Sequence, residues 1–262
     1  MLQVNFNQAL NLLRTVGSTN TLLFLGQPGI GKSALLHALA AQMPDYHPCY
    51  IDCANLDLGD LGMPLIDREE NVTAYAPNVR FGLARSQKKP LLIMLDELTK
   101  PASRAVLNML LPVILEHRIA NNYFPAGSVV FGTGNLLSDG VGDMLPGHAW
   151  NRMTVCDMRN PYADEWIENY AIPAGLAPEV ILFAKEYPQI FQRYDELPEK
   201  AVNPHIFNPR TGNVRACCTP RALAKSSHII AARDDLGDAL LPALAGTVGE
   251  PAARLLEANV AL

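Results

Sequence analysis

Apolar positions along this chain follow two different rhythms. In roughly the first 160 residues, short runs rich in apolar residues recur at 21–25, 49–53, 90–95, 128–133 and 155–158. Runs of that length, bounded by Gly, Pro or polar residues, predict buried strands of a parallel sheet. Helical spacing separates them. Leu2, Phe6, Ala9, Leu10, Leu13 and Val16 share one face of a helix over 1–17, with Gly17 as its stop. Residues 34–42 are rich in helix formers. A helix is expected from 99 through 115, with Pro112 as a kink or break, and a short one over 81–85. From residue 162 onward the strand rhythm disappears. Residues 162–170, 177–187, 220–234 and 236–244 all predict helices, the third opened by Thr219 as N-cap and Pro220 at the first position. The fold class expected is α/β: a parallel sheet flanked by helices over 1–160, followed by a smaller helical domain over 161–262.

Three stretches depart from both rhythms. Residues 55–64 are dense in Gly and Asp with Leu interleaved, and 65–75 read as two short strands around a polar tip at 67–71. A hairpin insert over about 55–77 follows, and a hairpin placed within an α/β unit is often a functional excursion. Residues 136–147, rich in Gly and Asp, read as a mobile loop. Residues 191–218 are long and rich in Pro, Asn and Arg, and no role is assigned to them.

Composition narrows the classes. The chain has 262 residues, 49% of them hydrophobic, so a sizeable core is available. Net charge is −5 with no long run of either sign, and nucleic acid is not the expected partner. No basic stretch followed by an apolar block opens the chain, and no apolar run approaches a membrane span. The five cysteines (Cys49, Cys53, Cys156, Cys217 and Cys218) fit neither a disulfide frame nor a zinc site. They read as reduced thiols, and a cytoplasmic location is expected.

The chemistry concentrates around the first strand. Gly26-Gln27-Pro28-Gly29-Ile30-Gly31-Lys32-Ser33 fits G-x-x-x-x-G-K-[ST], and Ala34 opens the helix after it. The strand–loop–helix setting is the one a phosphate-binding loop requires, because backbone N–H groups and the helix N-terminus together attract phosphate. Lys32 is expected at the β- and γ-phosphates of a bound nucleotide and Ser33 at Mg²⁺. The run 90–95 leads into Asp96 and Glu97. Acids at the carboxyl end of a parallel strand lie where ligands bind in an open α/β sheet. Asp96 suits Mg²⁺ opposite Ser33. Glu97, one residue on and alternating to the other face, suits polarisation of the attacking water. The strand at 128–133 runs into Gly134 and Asn135. Its small residues permit close approach to the nucleotide, and Asn135 is able to orient water. Arg152 and Arg159 both precede the domain boundary. Arg221 falls in the first turn of a helix, where the dipole mildly disfavours a cation, a faint hint that its charge has a use.

These elements in this order resemble the AAA+ ATPases over nearly the whole chain. Gly26 to Ser33 matches Walker A, Leu91 to Glu97 matches Walker B, and Asn135 matches the sensor-1 position. Trp150-Asn151-Arg152-Met153 stands where the family carries its arginine finger, with Met153 in place of the usual Phe. Thr219-Pro220-Arg221-Ala222 is similar to the start of the sensor-2 helix. Within AAA+ the chain is most similar to the MoxR-like group, whose helix-2 insert corresponds to residues 55–77. The resemblance implies a homo-oligomeric ring, commonly hexameric, with ATP between subunits and an arginine finger supplied in trans. Arg152 is the first candidate for that finger and Arg159 the second. It further implies remodelling or activation of a protein client, often one with a von Willebrand factor A domain, and a hairpin that faces the pore or the partner. Two other readings stand beside it. One is a DNA-directed motor or loader, disfavoured by the net charge and by the acidic tip Asp67, Glu69 and Glu70. The other is a nucleotide-gated assembly switch with little turnover.

Overall fold

The computed structural model describes residues 2–84, 88–136, 145–198, 201–208 and 216–260. They form two compact units, one of Met1–Gly26 with Lys32–Met158 and one of Gln27–Gly31 with Arg159–Leu262.

The first unit is built on a six-stranded parallel sheet. Its strands are β1 (Gln3–Val4), β2 (Leu22–Leu25), β3 (His47–Asp52), β6 (Leu91–Asp96), β9 (Val129–Gly134) and β10 (Thr154–Met158). They lie in the order β1-β10-β2-β9-β6-β3, every pairing parallel. The α/β sheet expected from the apolar-rich runs is present, and β2, β6 and β9 are buried along their whole length. The helices around it are α1 (Phe6–Val16), α2 (Ala34–Gln42) and α4 (Arg104–Glu116), with short α3 (Leu58–Leu61) and α5 (Gly147–Trp150).

Side chains alternate across a strand, so each sheet face has its own set. Leu23, Leu25, Ile51, Ile93, Leu95 and Val130 share one core with Val106, Leu107, Leu110 and Val113 of α4. The residues of opposite parity, among them Tyr50, Asp52, Asp96 and Thr133, therefore lie on the other face. Helix α2, which begins just after Ser33, packs against β3 and β6. One sheet face thus collects the polar ends of three strands beside the start of α2.

Several boundaries differ from the expectation. A short strand, β1, precedes α1. The helix foreseen from residue 99 starts at Arg104, because Ser103 accepts a hydrogen bond from the Val106 N–H at 3.2 Å and caps it there. Pro112 lies inside that helix without ending it. The short helix expected at 81–85 is a 3-10 turn at Val79–Phe81. The hairpin is formed by β4 (Met63–Asp67) and β5 (Val72–Ala76), with Asp67 opposite Val72. A second, smaller hairpin, β7 (Arg118–Ile119) with β8 (Asn122–Tyr123), touches it where Asn122 Nδ2 donates to Tyr75 O at 3.1 Å. Of the loop expected over 136–147, residues 137–144 lie outside the described residues, as do 199–200 and 209–215 of the long polar stretch.

The second unit is helical. It holds α6 (Ala163–Trp166) running into a π-helical stretch at Ile167–Ala171, then α7 (Pro178–Glu186), α8 (Pro220–Ala231), α9 (Arg233–Leu236), α10 (Leu240–Val248) and α11 (Glu250–Val260). Trp166, Phe183, Phe191, Leu223, Ile230, Leu244, Val248 and Leu256 make its core. Thr219 caps α8 as the sequence implies, its hydroxyl accepting from the Ala222 N–H at 3.0 Å, with Pro220 at the first position.

Candidate functional site

The phosphate-loop sequence contributes to both units. In the first, Lys32 is buried and its Nζ donates to Gly26 O at 2.6 Å and to Asn135 Oδ1 at 3.1 Å. Ser33 stands at the N-cap position of α2, but it makes no side-chain bond to the helix. Its hydroxyl instead donates to Asp96 Oδ2 at 3.1 Å.

The crown of the loop, Gln27–Gly31, is packed within the second unit. Gly29 and Gly31 have φ of +79° and +103°, values that a side chain would strain. At Gly29 there is also no room: a Cβ would meet the Thr219 hydroxyl at 2.8 Å. Gly29 O accepts from the Arg221 N–H at 3.1 Å, and Gln27 Oε1 accepts from Asn160 Nδ2 at 3.2 Å. Pro28 is exposed and Ile30 buried.

Asp96 and Glu97 do not alternate as the strand pattern implies. The strand ends at Asp96, and Glu97 has φ +54°, in the left-handed region. Its carboxylate accepts from Asn135 Nδ2, at 3.3 Å to Oε1 and 3.0 Å to Oε2. Asn135 therefore joins Lys32 to Glu97 through its two amide ends. Asp96 is buried and held by three hydroxyls: Ser33 and Tyr50 on Oδ2, the latter at 2.8 Å, and Thr133 on Oδ1.

Sequence reasoning missed Tyr50 and Thr133 as partners of Asp96. Parity puts Tyr50 on the same face as Asp52, but its reach to Asp96 depends on the β3–β6 register, in which Tyr50 faces Met94 and Asp52 faces Asp96. Two small residues of β9 also have a packing role. A Cβ at Gly132 or Gly134 would come within 2.6 Å of Leu98 or Thr99, so these glycines admit the segment that follows the two acids.

The arginines are sorted by their partners. Arg159 is bound on both nitrogens by Glu165, at 2.7 and 2.5 Å, and stacks over Tyr162 at 4.2 Å. That ion pair holds its pKa above the ordinary arginine value. Arg152 follows α5, is exposed, and pairs with no side chain among the described residues. The Arg221 side chain is likewise exposed at the start of α8.

The residues present fit a hard divalent cation. One carboxylate beside one hydroxyl is an oxygen donor set of the kind Mg²⁺ takes when a phosphate and waters complete its shell. Among the described residues no cluster of three or more His, Cys, Asp or Glu offers a protein-only metal site. The nearby Cys53 thiol is pushed far up, first by burial and then by the charges of Asp52, Asp96 and Glu97. It is held as the neutral thiol and is a poor metal ligand. No described helix is long and apolar enough to cross a membrane.

The AAA model, described as the ATPase family associated with various cellular activities, matches residues 22–154, just over half of the chain. No curated protein sequence matches the chain. Among solved structures, one variant of RuvB from Thermotoga maritima aligns over 97% of this chain and 68% of its own, with 14% identity and a TM-score of 0.51. A second RuvB variant from the same organism gives 15% identity, the same coverages and a TM-score of 0.51. A protein from Cytophaga hutchinsonii is 19% identical over 62% of this chain, which spans 48% of that protein's length, with a TM-score of 0.43. The likeness to RuvB is at a level of identity that speaks for fold alone, while the family match covers the strand–loop–helix, the two acids and Asn135 together. On that match the chain belongs to the AAA family of ATPases.

Proposed function

We propose that this chain is an ATP-hydrolysing subunit of a homo-oligomeric ring of the MoxR-like kind, and that it acts on a protein client. The observation that carries the reading is the Lys32–Asn135–Glu97 chain lying beside the Ser33–Asp96 pair. Together these groups supply the charge neutraliser, the water-positioning pair and the cation-holding pair that phosphoryl transfer to water uses within one subunit.

Lys32 neutralises charge that develops on the β- and γ-phosphate oxygens. Glu97 accepts the proton of the attacking water, and Asn135 orients that water by donating to one side while the carboxylate accepts on the other. The proton passes on to the phosphate product, which restores Glu97. Ser33 and Asp96 hold Mg²⁺, whose chemistry is to draw negative charge from the phosphate oxygens. Gln27, Gly29, Ile30, Gly31 and Ala34 complete the cradle with backbone N–H groups, while Gly26, whose N–H donates to Gly134 O, and Pro28, which has no N–H, shape the loop. Arg221, whose N–H is tied to Gly29 O, reports the state of the loop to the helical lid domain over 161–262.

Arg152 completes the site of a neighbouring subunit. Its freedom from any described side-chain partner supports that role, whereas Arg159 is already committed to Glu165. A trans arginine of this kind is worth about 10³- to 10⁵-fold in turnover. A hexamer in the cytoplasm and a client with a von Willebrand factor A domain are the assembly and partner we infer. The hairpin β4–β5 supports a protein partner over DNA. It exposes Met63, Leu65, Ile66, Val72 and Tyr75 around a tip carrying Asp67, Glu69 and Glu70.

The test is Glu97→Gln. This variant is expected to bind ATP as the wild type does and to lose turnover by about 10²-fold or more, since only the proton acceptor is removed. Steady-state hydrolysis at the wild-type rate in the assembled protein would overturn the assignment.

A further inference from the structure

Asp96 has a partner that the phosphate-loop chemistry does not call for. Tyr50 lies on β3, opposite Met94 of β6, and its side chain reaches along the shared face to Asp96 two residues further on. Its hydroxyl donates to Oδ2 at 2.8 Å, the same oxygen that receives the Ser33 hydroxyl at 3.1 Å. Thr133 donates to the other oxygen, Oδ1.

A carboxylate oxygen offers two lone pairs. Those of Oδ2 are both taken, one by Ser33 and one by Tyr50. If Ser33 ligates Mg²⁺ through its own lone pair, its proton still points to Asp96, so that bond survives metal binding. The position held by Tyr50 is then the one that the ion, or a water bound to it, needs on Oδ2. The three donors differ in their freedom to leave. Thr133 is fully buried in the middle of the sheet, whereas Tyr50 is 49% exposed on the edge strand β3, and its bond to Asp96 is only part-buried.

We propose that Tyr50 is a positioning residue that competes with Mg²⁺, or its bound water, for Asp96 Oδ2 and so sets the Mg²⁺ concentration at which the site loads. The proposal rests on the reading of Ser33 and Asp96 as the Mg²⁺-holding pair. Thr133, by contrast, fixes the orientation of Asp96 in both states. Tyr50 thereby keeps the buried carboxylate satisfied until the Mg²⁺–nucleotide arrives, and it makes loading sensitive to the free cation rather than to nucleotide alone.

The experiment is a Mg²⁺ titration of the complete chain with a fluorescent, non-hydrolysable ATP analogue, repeated with Mn²⁺ and read by electron paramagnetic resonance. Tyr50→Phe keeps the ring and removes only the hydroxyl. It is expected to lower the half-saturating Mg²⁺ and Mn²⁺ by about three- to tenfold, the net worth of a typical hydrogen bond in a site open to water. Analogue affinity in EDTA and kcat at saturating Mg²⁺ are expected to stay at wild-type values. A half-saturation that is unchanged or raised in Tyr50→Phe, with normal Mg²⁺ dependence in the wild type, overturns the role of Tyr50 alone. Analogue binding that ignores Mg²⁺ and Mn²⁺ in the wild type overturns the Ser33–Asp96 pair and this inference with it.

Discussion

Glu97 is the residue at which backbone and chemistry conflict. A left-handed φ of +54° brings the Cβ of an L-residue against its own carbonyl, at a cost of about 1–2 kcal/mol. The strain places its carboxylate against Asn135 instead of letting it follow the strand to the opposite face. Glycine relieves that strain and alanine does not, while both remove the carboxylate. Glu97→Gly is therefore expected to be more stable than Glu97→Ala by about 0.5–1 kcal/mol, after allowing for the greater chain entropy glycine loses on folding. Both variants are expected to lose turnover. Chemical denaturation of the two side by side is the check, and a Glu97→Ala midpoint above that of Glu97→Gly by glycine's entropy cost would mean that the conformation carries no strain. The same residue shows what sequence reading reaches. Lys32, Ser33, Asp96 and Glu97 are legible because their chemistry is written in short contiguous motifs. The route by which Glu97 meets Asn135 is not, since alternation along a strand says nothing about where the strand stops. Tyr50 and Thr133 stay hidden for a related reason: their bonds to Asp96 depend on the register between neighbouring strands.

At the scale of elements, the buried strands β2, β6 and β9 are the most legible, because a short run rich in apolar residues and flanked by polar ones admits few other fates. Helix ends are less so. Thr219-Pro220 announces the start of α8, but Ser103 competes with the upstream Thr99 and wins α4 through its hydroxyl cap. Helix α11 was not foreseen. Its buried Ala252, Ala253 and Leu256 are too small and too few to stand out from an alanine-rich background. The other end of α4 yields a pH dependence. His117 closes the helix with φ +49°, and its Nε2 lies 3.3 Å from the Thr21 hydroxyl, whose proton goes to Ile114 O at 2.6 Å. Burial lowers its pKa from the ordinary histidine value of 6.5. As pH falls below that value, the unfolded chain takes up the proton before the folded one does. Stability is therefore lost in the window between the unfolded and folded values. His205, lowered by burial as well, contributes to wild type and variant alike. His117→Asn, a residue that tolerates the left-handed conformation, is expected to lose less thermal stability than the wild type between about pH 7.5 and pH 5.5. An equal loss in both proteins would clear His117 of the effect.

For the whole molecule the account comes down to a division of labour. Lys32, Ser33, Asp96, Glu97 and Asn135 gather in one unit, and the crown of the phosphate loop with Arg221 belongs to the other. Arg152 stands in the first unit with an exposed guanidinium and no described side-chain partner, while Arg159 is paired within the second. The central claim is that hydrolysis is shared, with Glu97 acting in its own subunit and Arg152 in the site of a neighbour. Mixing two defective proteins tests this most directly. Glu97→Gln and Arg152→Ala are each expected to be nearly inactive alone. In rings assembled from equal amounts of both, an Arg152→Ala subunit with intact Glu97 sometimes sits beside a Glu97→Gln subunit with intact Arg152. Random mixing places that pairing at about one interface in four, so turnover is expected to recover to about a quarter of the wild-type rate. No recovery when the mixed rings are shown to form, or full activity of Arg152→Ala alone, would contradict the account.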